Sequence, residues 1–321
     1  MPKVSIIVPN YNHSRFLKQR LDSIFNQTYE DFEVILLDDA STDDSVKILT
    51  EYAAHEKVSH FIVNKENSGS PFKQWQKGID LANGEFIWIA ESDDYCKESF
   101  LERVVTPLMD NSNCVLSYSQ SMAVDGTNRE LGTLDKGLKF QDNERWKTDF
   151  LNSGDSEVYH YLQHINTIPN ASGVVFKHEV AEKIANEYLE MKYFGDWYFW
   201  IQVLRHGSIS FVSYPLNCFR KHLQTTRSEK HSSAVKKRLQ EELKILYDIF
   251  CNLEGFDSRT TADRIQQLLI QYYARVPALK IISGFYNDEF APLPKRLLGS
   301  IKFSLLIRRF RARIKYQLSF F

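Results

Sequence analysis

Strand-like and helix-like segments alternate over residues 4–109, and this alternation limits the possible fold more than any other feature of the chain. The strand-like segments are short β-branched and apolar runs at residues 4–8, 33–37, 58–63 and 86–90. The segments between them carry apolar residues at spacings of three and four, which is typical of amphipathic helices. Such an alternation builds a mostly parallel sheet with helices on both faces and right-handed crossovers. The sequence therefore predicts an α/β fold.

Proline and hydroxyl residues indicate where these elements begin and end. We expect Pro9 to stop the first strand. Ser14 is the expected cap of the first helix, and Ser41 or Thr42 the expected cap of the second, because hydroxyl side chains are favoured at that position. Ser70 precedes a proline, which suits the first turn of a third helix.

Composition and charge exclude several classes of protein. With 321 residues, 43% of them hydrophobic, the chain is long enough for one large or two ordinary domains. A formal net charge of −1 gives no reason to expect a nucleic-acid partner. The four cysteines are scattered without a C-x-x-C pair, which is typical of buried thiols in a reducing compartment. The strand-like run at residue 4 argues against a signal peptide, and no apolar run is long enough for a transmembrane helix. We therefore expect a cytoplasmic protein.

The remainder of the chain has a less regular pattern. Strands are predicted over residues 114–117, 173–176 and 209–213. Residues 125–157 are polar and weakly periodic, which predicts a long surface loop. Helices are predicted over residues 234–253, over 261–276 and from about 294 onward. We expect a first domain at 1–230, made of the halves 1–112 and 113–230, and a helical extension at 231–321.

Three carboxylates follow the run at 86–90 within four residues: Glu91, Asp93 and Asp94. Ligands of open α/β sheets bind at the carboxyl ends of the strands, where this cluster would lie. Crowded carboxylates repel each other unless a cation joins them, and two carboxylates commonly hold a divalent metal that carries substrate phosphates. The alternative is that Ser92, Asp93 and Asp94 only cap the next helix.

Two familiar phosphate-binding loops are absent from the sequence. The turn after the first strand is Pro9-Asn10-Tyr11-Asn12, which contains neither the G-x-G-x-x-G fingerprint nor a P-loop. A nucleotide at this sheet would therefore be held by another kind of loop. The same turn disfavours a nucleotidyltransferase, which would need a glycine-rich, basic phosphate loop at this position.

Four short motifs occur in a fixed order: VPNYN at 8–12, DDAS at 38–41, ESDD at 91–94 and GDW at 195–197. In this order and at these spacings they resemble the inverting glycosyltransferases of family 2, which have the GT-A fold. The resemblance covers roughly residues 2–225 and includes Asn67-Ser68-Gly69, Asn83-Gly84-Glu85 and Arg220-Lys221-His222. It implies transfer of a sugar from a nucleotide-diphosphate donor, most commonly a UDP-sugar, to a hydroxyl of a glycan or lipid-linked acceptor.

The donor-binding residues that the resemblance implies are Pro9, Tyr11, Asp38, Asp39, Asp93 and His222. Tyr11 would stack on the nucleobase, and Asp39 would accept a hydrogen bond from a base N–H or a ribose hydroxyl. Pro9 would shape the loop beneath the base, and Asp38 would support it. His222 would ligate the metal or donate to a phosphate from a flexible closing segment. The alternatives are a surface tyrosine at Tyr11 and a helix cap at Asp39.

The resemblance makes Asp93 and Asp94 the equivalent of a D-x-D motif, with Asp94 as metal ligand and Asp93 reaching the ribose or the metal. The metal, Mn²⁺ or Mg²⁺, would neutralise the diphosphate leaving group. Glu91 stands where relatives more often have aspartate, and its role stays open. Lys73 either approaches the phosphates or lies on a solvated helix face.

Asp196 is the candidate general base. An acceptor hydroxyl loses a proton as it attacks the anomeric carbon, and a carboxylate with an ordinary pKa of about 3.9 is ionised at neutral pH. Relatives often have Glu-Asp here, whereas this chain has Gly195-Asp196, so Asp196 alone would carry the role. The aromatic run at 197–200 is expected to begin a helix, and the alternative is that Asp196 only caps it. A single displacement forms no covalent intermediate and needs no second acidic residue.

The end of the chain combines an apolar stripe with positive charge. From residue 290 onward there are eight Lys or Arg residues and no Asp or Glu. A helix of this kind over 294–319 suits the surface of an anionic membrane, and the alternative is packing on the catalytic domain or a partner. We therefore expect a metal-assisted glycosyltransferase with peripheral contact at the inner membrane face. The alternative is a non-catalytic nucleotide-sugar-binding protein or membrane-surface scaffold, which would bind the donor without consuming it.

Overall fold

The computed structural model describes residues 2–134, 144–221, 232–252 and 258–273. The chain divides into two compact units, Met1–Glu229 and Lys230–Phe321. The sheet described below belongs to the first unit, and a pair of helices belongs to the second. No helix within the described ranges is long and apolar enough to cross a bilayer.

In the described part of the first unit, ten strands form a single sheet. They are β1 (Val4–Asn10), β2 (Phe32–Asp38), β3 (Val58–Val63), β4 (Phe86–Ile89), β5 (Tyr95–Cys96), β6 (Cys114–Val124), β7 (Glu130–Thr133), β8 (Phe150–Ser153), β9 (Val174–Lys177) and β10 (Ser208–Arg220). Their order is β3-β2-β1-β4-β9-β6-β10-β5, with β7 on β6 and β8 on β10. The first four are parallel neighbours, and β9 joins antiparallel to β4.

Seven α-helices accompany the sheet in the described part of the first unit, and two more make up the described part of the second unit. They are α1 (Ser14–Phe25), α2 (Ser45–Ala53), α3 (Pro71–Leu81), α4 (Phe100–Asp110), α5 (Gly154–Glu157), α6 (His178–Ala181), α7 (Gly195–Leu204), α8 (Ser232–Asn252) and α9 (Ser258–Tyr273). The predicted α/β fold is confirmed. The helices predicted near 234–253 and 261–276 are present as α8 and α9, whereas the helix predicted from 294 onward lies outside the described residues.

The core explains why the parallel strands are almost entirely apolar. β1, β2 and β4 are buried along their whole length because helices cover both faces of the sheet. Val4, Ile6 and Val8 belong to one cluster with apolar residues of α1, α2 and α4. Ile7 faces the other way, where α3 approaches so closely that a Cβ on Gly78 would lie 2.3 Å from Ile7 Cγ2. Alternate residues of one strand therefore build two separate layers of core.

Several predicted boundaries were wrong, each for a local reason. β1 continues through Pro9, which pairs with Leu37 of β2 beyond the point where β4 stops pairing, so the missing proline N–H interrupts no ladder there. The second helix begins at Ser45 with Asp44 in the cap position, because the Ser41 hydroxyl donates to Asp38 instead.

The many polar residues in 113–220 made the strands of this part of the sheet hard to predict from sequence. β6 has 11 residues and β10 has 13, well beyond the predicted 114–117 and 209–213. Buried serines, Ser117 and Ser119 among them, interrupt the apolar run in the sequence, so the predicted strand was too short. Residues 144–157 do not form a surface loop, because Trp146 is buried and β8 pairs with β10.

The second unit is described as a helix pair. α8 and α9 contribute buried apolar residues, namely Leu243, Ile245, Leu246, Ile249, Ile265 and Leu268. Arg264 of α9 donates to Glu242 of α8 at 3.0 Å. Burial raises the pKa of the Glu242 carboxyl, and the guanidinium opposes that effect.

Candidate active site

The carboxyl ends of three neighbouring strands bring most of the predicted site residues to one edge of the sheet. Asn10 at the end of β1 lies in register with Asp38 at the end of β2. The N–H of Ala90, just after β4, donates to Ile7 O of β1 at 2.8 Å. The turns that follow β1, β2 and β4 therefore lie side by side, as parallel strands require.

Asp38 holds the first two turns together. Its carboxylate accepts from Asn10 Nδ2 at 2.8 Å, from Ser41 N at 2.8 Å and from Ser41 Oγ at 2.7 Å. The Ser41 hydroxyl also accepts from the N–H of Asn12 at 2.9 Å. Asn12 and Ala40 both have positive φ, 56° and 61°, so each turn is tightly folded over this carboxylate. Asp38 thus supports the loop that carries Tyr11.

Asp39 is directed at the loop that precedes α3. Its Oδ1 accepts from Asn64 Nδ2 at 2.7 Å, from Ser68 N at 2.9 Å and from Gln74 Nε2 at 2.9 Å. Its Oδ2 accepts from Ser68 Oγ at 2.8 Å. The interpretation of Asp39 as a helix cap is wrong, since α2 begins at Ser45. In this structure Asp39 fixes the loop around Ser68 beside the first two turns.

Tyr11 and Lys73 are the exposed members of the predicted set. Tyr11 is 45% exposed at the end of β1, which leaves its ring accessible and the surface-tyrosine alternative open. Lys73 is exposed on α3 and donates to Ser68 O at 3.2 Å. His222 lies outside the described residues.

The acidic turn after β4 is not a helix cap. Asp94 leads directly into β5, and α4 begins at Phe100 with Ser99 in the cap position. Asp94 is 1% exposed, and burial together with the neighbouring Asp93 raises the pKa of its carboxyl to about 6. Burial, with the charge of Asp93, raises the pKa of Glu91 to about 8, although Trp75 Nε1 donates to its carboxylate at 2.7 Å. Both raised pKa values therefore reflect burial together with the negative charge of neighbouring carboxylates.

Two buried arginines, Arg220 and Arg20, form hydrogen bonds to this turn. Arg220, the last residue of β10, donates through Nε to Asp93 O at 2.7 Å, and its backbone N–H donates to Asp94 Oδ1 at 2.8 Å. Arg20 of α1 donates through Nε to Glu91 O at 2.9 Å. Arg220, grouped by the resemblance with His222 in a flexible closing segment, is instead 1% exposed at the end of β10.

The turn after β1 and the acidic turn after β4 also contact each other. His13 Nδ1 lies 2.9 Å from Ser92 Oγ, which joins the loop after β1 to the loop after β4. His13 therefore helps to close the edge at which the predicted donor-binding residues meet.

Asp196 lies in the first turn of α7, on an element remote in sequence from the acidic turn. Its Oδ2 accepts from Asn166 Nδ2 at 3.2 Å. Phe194 holds the cap position and Asp196 is the second helical residue, so the capping interpretation is wrong. The aromatic residues that follow are buried, as expected for a helix that fixes Asp196 from below.

The structure explains why Gly195 precedes Asp196. A Cβ at Gly195 would lie 2.5 Å from Cε2 of the buried Phe72 ring. Phe72 thus occupies the space that a larger side chain at position 195 would need.

We expect Gly195→Ala to lower the free energy of unfolding by about 1–3 kcal/mol, because overpacked cores are destabilised by roughly that amount. Chemical denaturation of the native protein and the variant measures the change. The double variant Gly195→Ala with Phe72→Leu should recover part of the loss, since the smaller side chain relieves the overlap. A Gly195→Ala variant as stable as the native protein would contradict this account.

Sequence reasoning missed four residues that shape the site: Arg20, Asn166, Asn170 and Ser172. Arg20 had a signal, because it interrupts the apolar face of α1 between Leu17 and Leu21. The others had none, since polar residues in a loop of irregular pattern look the same whether they face solvent or a carboxylate.

Comparison with known proteins places the chain in a family. The family model for "Glycosyl transferase family 2" matches residues 5–173, just over half of the chain. An uncharacterized glycosyltransferase of Haemophilus influenzae is 26% identical over 94% of this chain and 89% of its own length. A GalNAc(5)-diNAcBac-PP-undecaprenol beta-1,3-glucosyltransferase of Campylobacter jejuni is 28% identical over 47% of this chain, and the match spans about half of that protein.

A solved structure shows the same fold. S. aureus TarS 1-349, crystallised in complex with UDP-GlcNAc, superposes with a TM-score of 0.66 at 18% identity, over 92% of this chain and 82% of that one. The matched segment 5–173 includes the turns after β1, β2 and β4 described above. The chain therefore belongs to glycosyl transferase family 2 and is a glycosyltransferase.

Proposed function

We propose that this enzyme transfers a sugar from a UDP-sugar to a hydroxyl group of a glycan or lipid-linked acceptor, with inversion and with Asp196 as general base. The observation that carries the proposal is that Asp94 and Asp196 both contact the short segment 166–170. The candidate metal carboxylate and the candidate base lie on different elements, and their hydrogen bonds to one short segment support the proposal that they serve the same active site.

The donor would lie along the edge formed by the turns after β1, β2 and β4. Tyr11 would stack on the base, while Pro9 and Asp38 shape the loop beneath it. The Asp39 carboxylate already accepts several hydrogen bonds from the loop before α3 and from Gln74 in the first turns of that helix. We therefore assign Asp39 to ordering this loop around the base or ribose as well as to any direct contact. His222 keeps its proposed role near the diphosphate.

Asp93 and Asp94 would hold a divalent metal. Within the described ranges, no group of three or more His, Cys, Asp or Glu side chains is arranged to bind a metal. An all-oxygen pair suits Mn²⁺ or Mg²⁺, which commonly take their other ligands from substrate phosphates and water. When bound, the metal would neutralise negative charge on the diphosphate leaving group.

The chemistry of this chain's own residues is then a single displacement. Asp196 accepts the proton of the acceptor hydroxyl while the oxygen forms a bond to the anomeric carbon. The bond between that carbon and the diphosphate oxygen breaks at the same time, so the configuration inverts. Asn166, through its hydrogen bond, keeps the base carboxylate oriented.

Donor turnover tests this proposal. The native protein, Asp94→Asn and the control Asp110→Asn would be assayed on UDP-, GDP- and dTDP-sugars with Mn²⁺, Mg²⁺ or EDTA, and with membrane extract as acceptor source. We expect metal-dependent release of UDP that Asp94→Asn abolishes and Asp110→Asn retains, because Asp110 is an exposed residue at the end of α4. Saturable donor binding without release by the native protein would overturn the proposal.

The acceptor and the tail form the last part of the proposal. The matched Campylobacter jejuni enzyme is named for a lipid-linked acceptor, and the apolar, basic segment 294–319 suits an anionic membrane surface. We expect deletion of residues 290–321 to abolish co-sedimentation with vesicles rich in anionic lipid. The deletion should leave turnover of a water-soluble acceptor intact. Unchanged co-sedimentation would assign the segment to a protein contact instead.

A further inference from the structure

A short buried segment connects the two carboxylates on which the proposed function depends. Asn166 Nδ2 donates to Asp196 Oδ2 at 3.2 Å, and Asn170 Nδ2 donates to Asp94 Oδ2 at 3.1 Å. Between the two asparagines the chain passes through Thr167 and Ile168, both fully buried, and Pro169, which is partly buried. Asp94 lies after β4 and Asp196 on α7, so this segment is a direct connection between two distant parts of the chain.

Both asparagines are oriented in the same way. Asn166 Oδ1 accepts from the N–H of Ile168 at 3.1 Å, and Asn170 Oδ1 accepts from the N–H of Ser172 at 3.0 Å. Each amide oxygen is thus used by the backbone two residues further on, a turn that asparagine forms readily. Because the oxygen is engaged locally, the amide nitrogen of each side chain points at its carboxylate.

The segment is anchored to the sheet at its far end. Ser172 Oγ accepts from the N–H of Glu91 at 3.1 Å, and Ser172 O accepts from Trp88 Nε1 at 2.8 Å. Both partners belong to the buried β4 region that leads into the acidic turn. The segment therefore has little freedom to move relative to Asp94.

We propose that Asn166 and Asn170 are paired positioning residues, and that the segment between them sets the placement of the base Asp196 relative to the metal carboxylate Asp94. The inference rests on the proposed function, since it assigns roles to the same two carboxylates. Neither asparagine needs to touch the substrate. Partners of this kind around a metal ligand commonly change metal affinity by about 10- to 100-fold when they are lost.

Two variants separate the two ends of the segment. Asn166→Asp keeps the oxygen that accepts from Ile168 N but replaces the donor to Asp196 with a second carboxylate. Like charges side by side raise a carboxyl pKa, so the acid limb of the kcat–pH profile should move up by about one pH unit, with the donor KM unchanged.

Asn170→Ala removes the donor to Asp94, so Mn²⁺ titrated calorimetrically into the protein with UDP should bind about tenfold more weakly.

A matched control is available at Asn111. Its Oδ1 accepts from the N–H of Asn113 at 3.0 Å, which is the same local turn. It precedes β6, which runs in the same direction as β4, so Asn111 lies at the opposite edge of the sheet from the site. Asn111→Asp should leave the pH profile and the Mn²⁺ titration unchanged.

The outcomes distinguish this inference from the proposed function. If Asn166→Asp behaves like Asn111→Asp, or if Asn170→Ala binds Mn²⁺ with UDP as the native protein does, the positioning role is wrong. Loss of thermal stability in both variants, with no separation between the pH and metal readouts, would also overturn it. If the native enzyme turns over no donor, the proposed function fails. The positioning role is then judged by the Mn²⁺ titration and by NMR titration of the Asp196 carboxyl in Asn166→Asp.

Discussion

Replacing Asp196 with asparagine is expected to lower kcat by about 10²- to 10⁴-fold, the usual contribution of a positioned general base. Asparagine has nearly the same shape and can still accept from Asn166, so α7 should fold normally. What it lacks is the ability to take a proton from the acceptor hydroxyl. Donor binding should be unchanged, because Asp196 is assigned to the acceptor side of the reaction.

The measurement is steady-state release of UDP beside equilibrium binding of the donor. Asp110→Asn, an exposed position on α4, serves as the matched control for loss of one negative charge. A kcat in Asp196→Asn within a few-fold of the native value would mean that another group accepts the proton. A large loss of donor binding would instead move Asp196 to the donor side of the site.

Replacing Arg220 with methionine is expected to have the largest effect on stability, about 2–4 kcal/mol in the free energy of unfolding. The guanidinium donates to Asp93 O, to Asp125 O at 3.1 Å and to the side chains of Asn128 and Gln19 at 2.7 and 2.8 Å. Hydrogen bonds from a charged group contribute roughly 1.5–3 kcal/mol each, although such losses are not additive. Arg220 is 1% exposed, whereas its acceptors are partly buried or, at Asn128, exposed, so only part of that sum is expected. The same change should weaken Mn²⁺ binding with UDP, since the Asp93-Asp94 turn loses its support.

Denaturant unfolding and calorimetric Mn²⁺ titration test both parts of this prediction. Arg220→Lys keeps the charge but not the planar fork that reaches several acceptors at once, so it should recover little of the loss. Arg129→Met removes an exposed arginine and should change neither quantity. Full recovery in Arg220→Lys would show that charge alone, and not the geometry of the guanidinium, supports the turn.

The sequence by itself determined the parallel half of the sheet and the position of the acidic turn at its carboxyl end. Buried parallel strands need uninterrupted apolar runs, and the helices between them need periodic apolar faces, so both patterns are readable without coordinates. The motif at 91–94 could be located because it follows such a strand. The predicted strands at 114–117 and 209–213 cover only part of β6 and β10, because the buried polar residues of these strands follow no simple period.

Only the tertiary structure decided how the carboxylates are held. From the sequence, Arg220 was expected to belong, with His222, to a flexible closing segment near the phosphates. In the structure it is buried and donates a hydrogen bond to the acidic turn. Asn166 and Asn170 carried no signal, because a hydrogen bond between residues remote in sequence depends on where the folded chain places them. Local patterns reflect the burial of neighbouring residues, whereas partners far apart in the chain meet only once the sheet has formed.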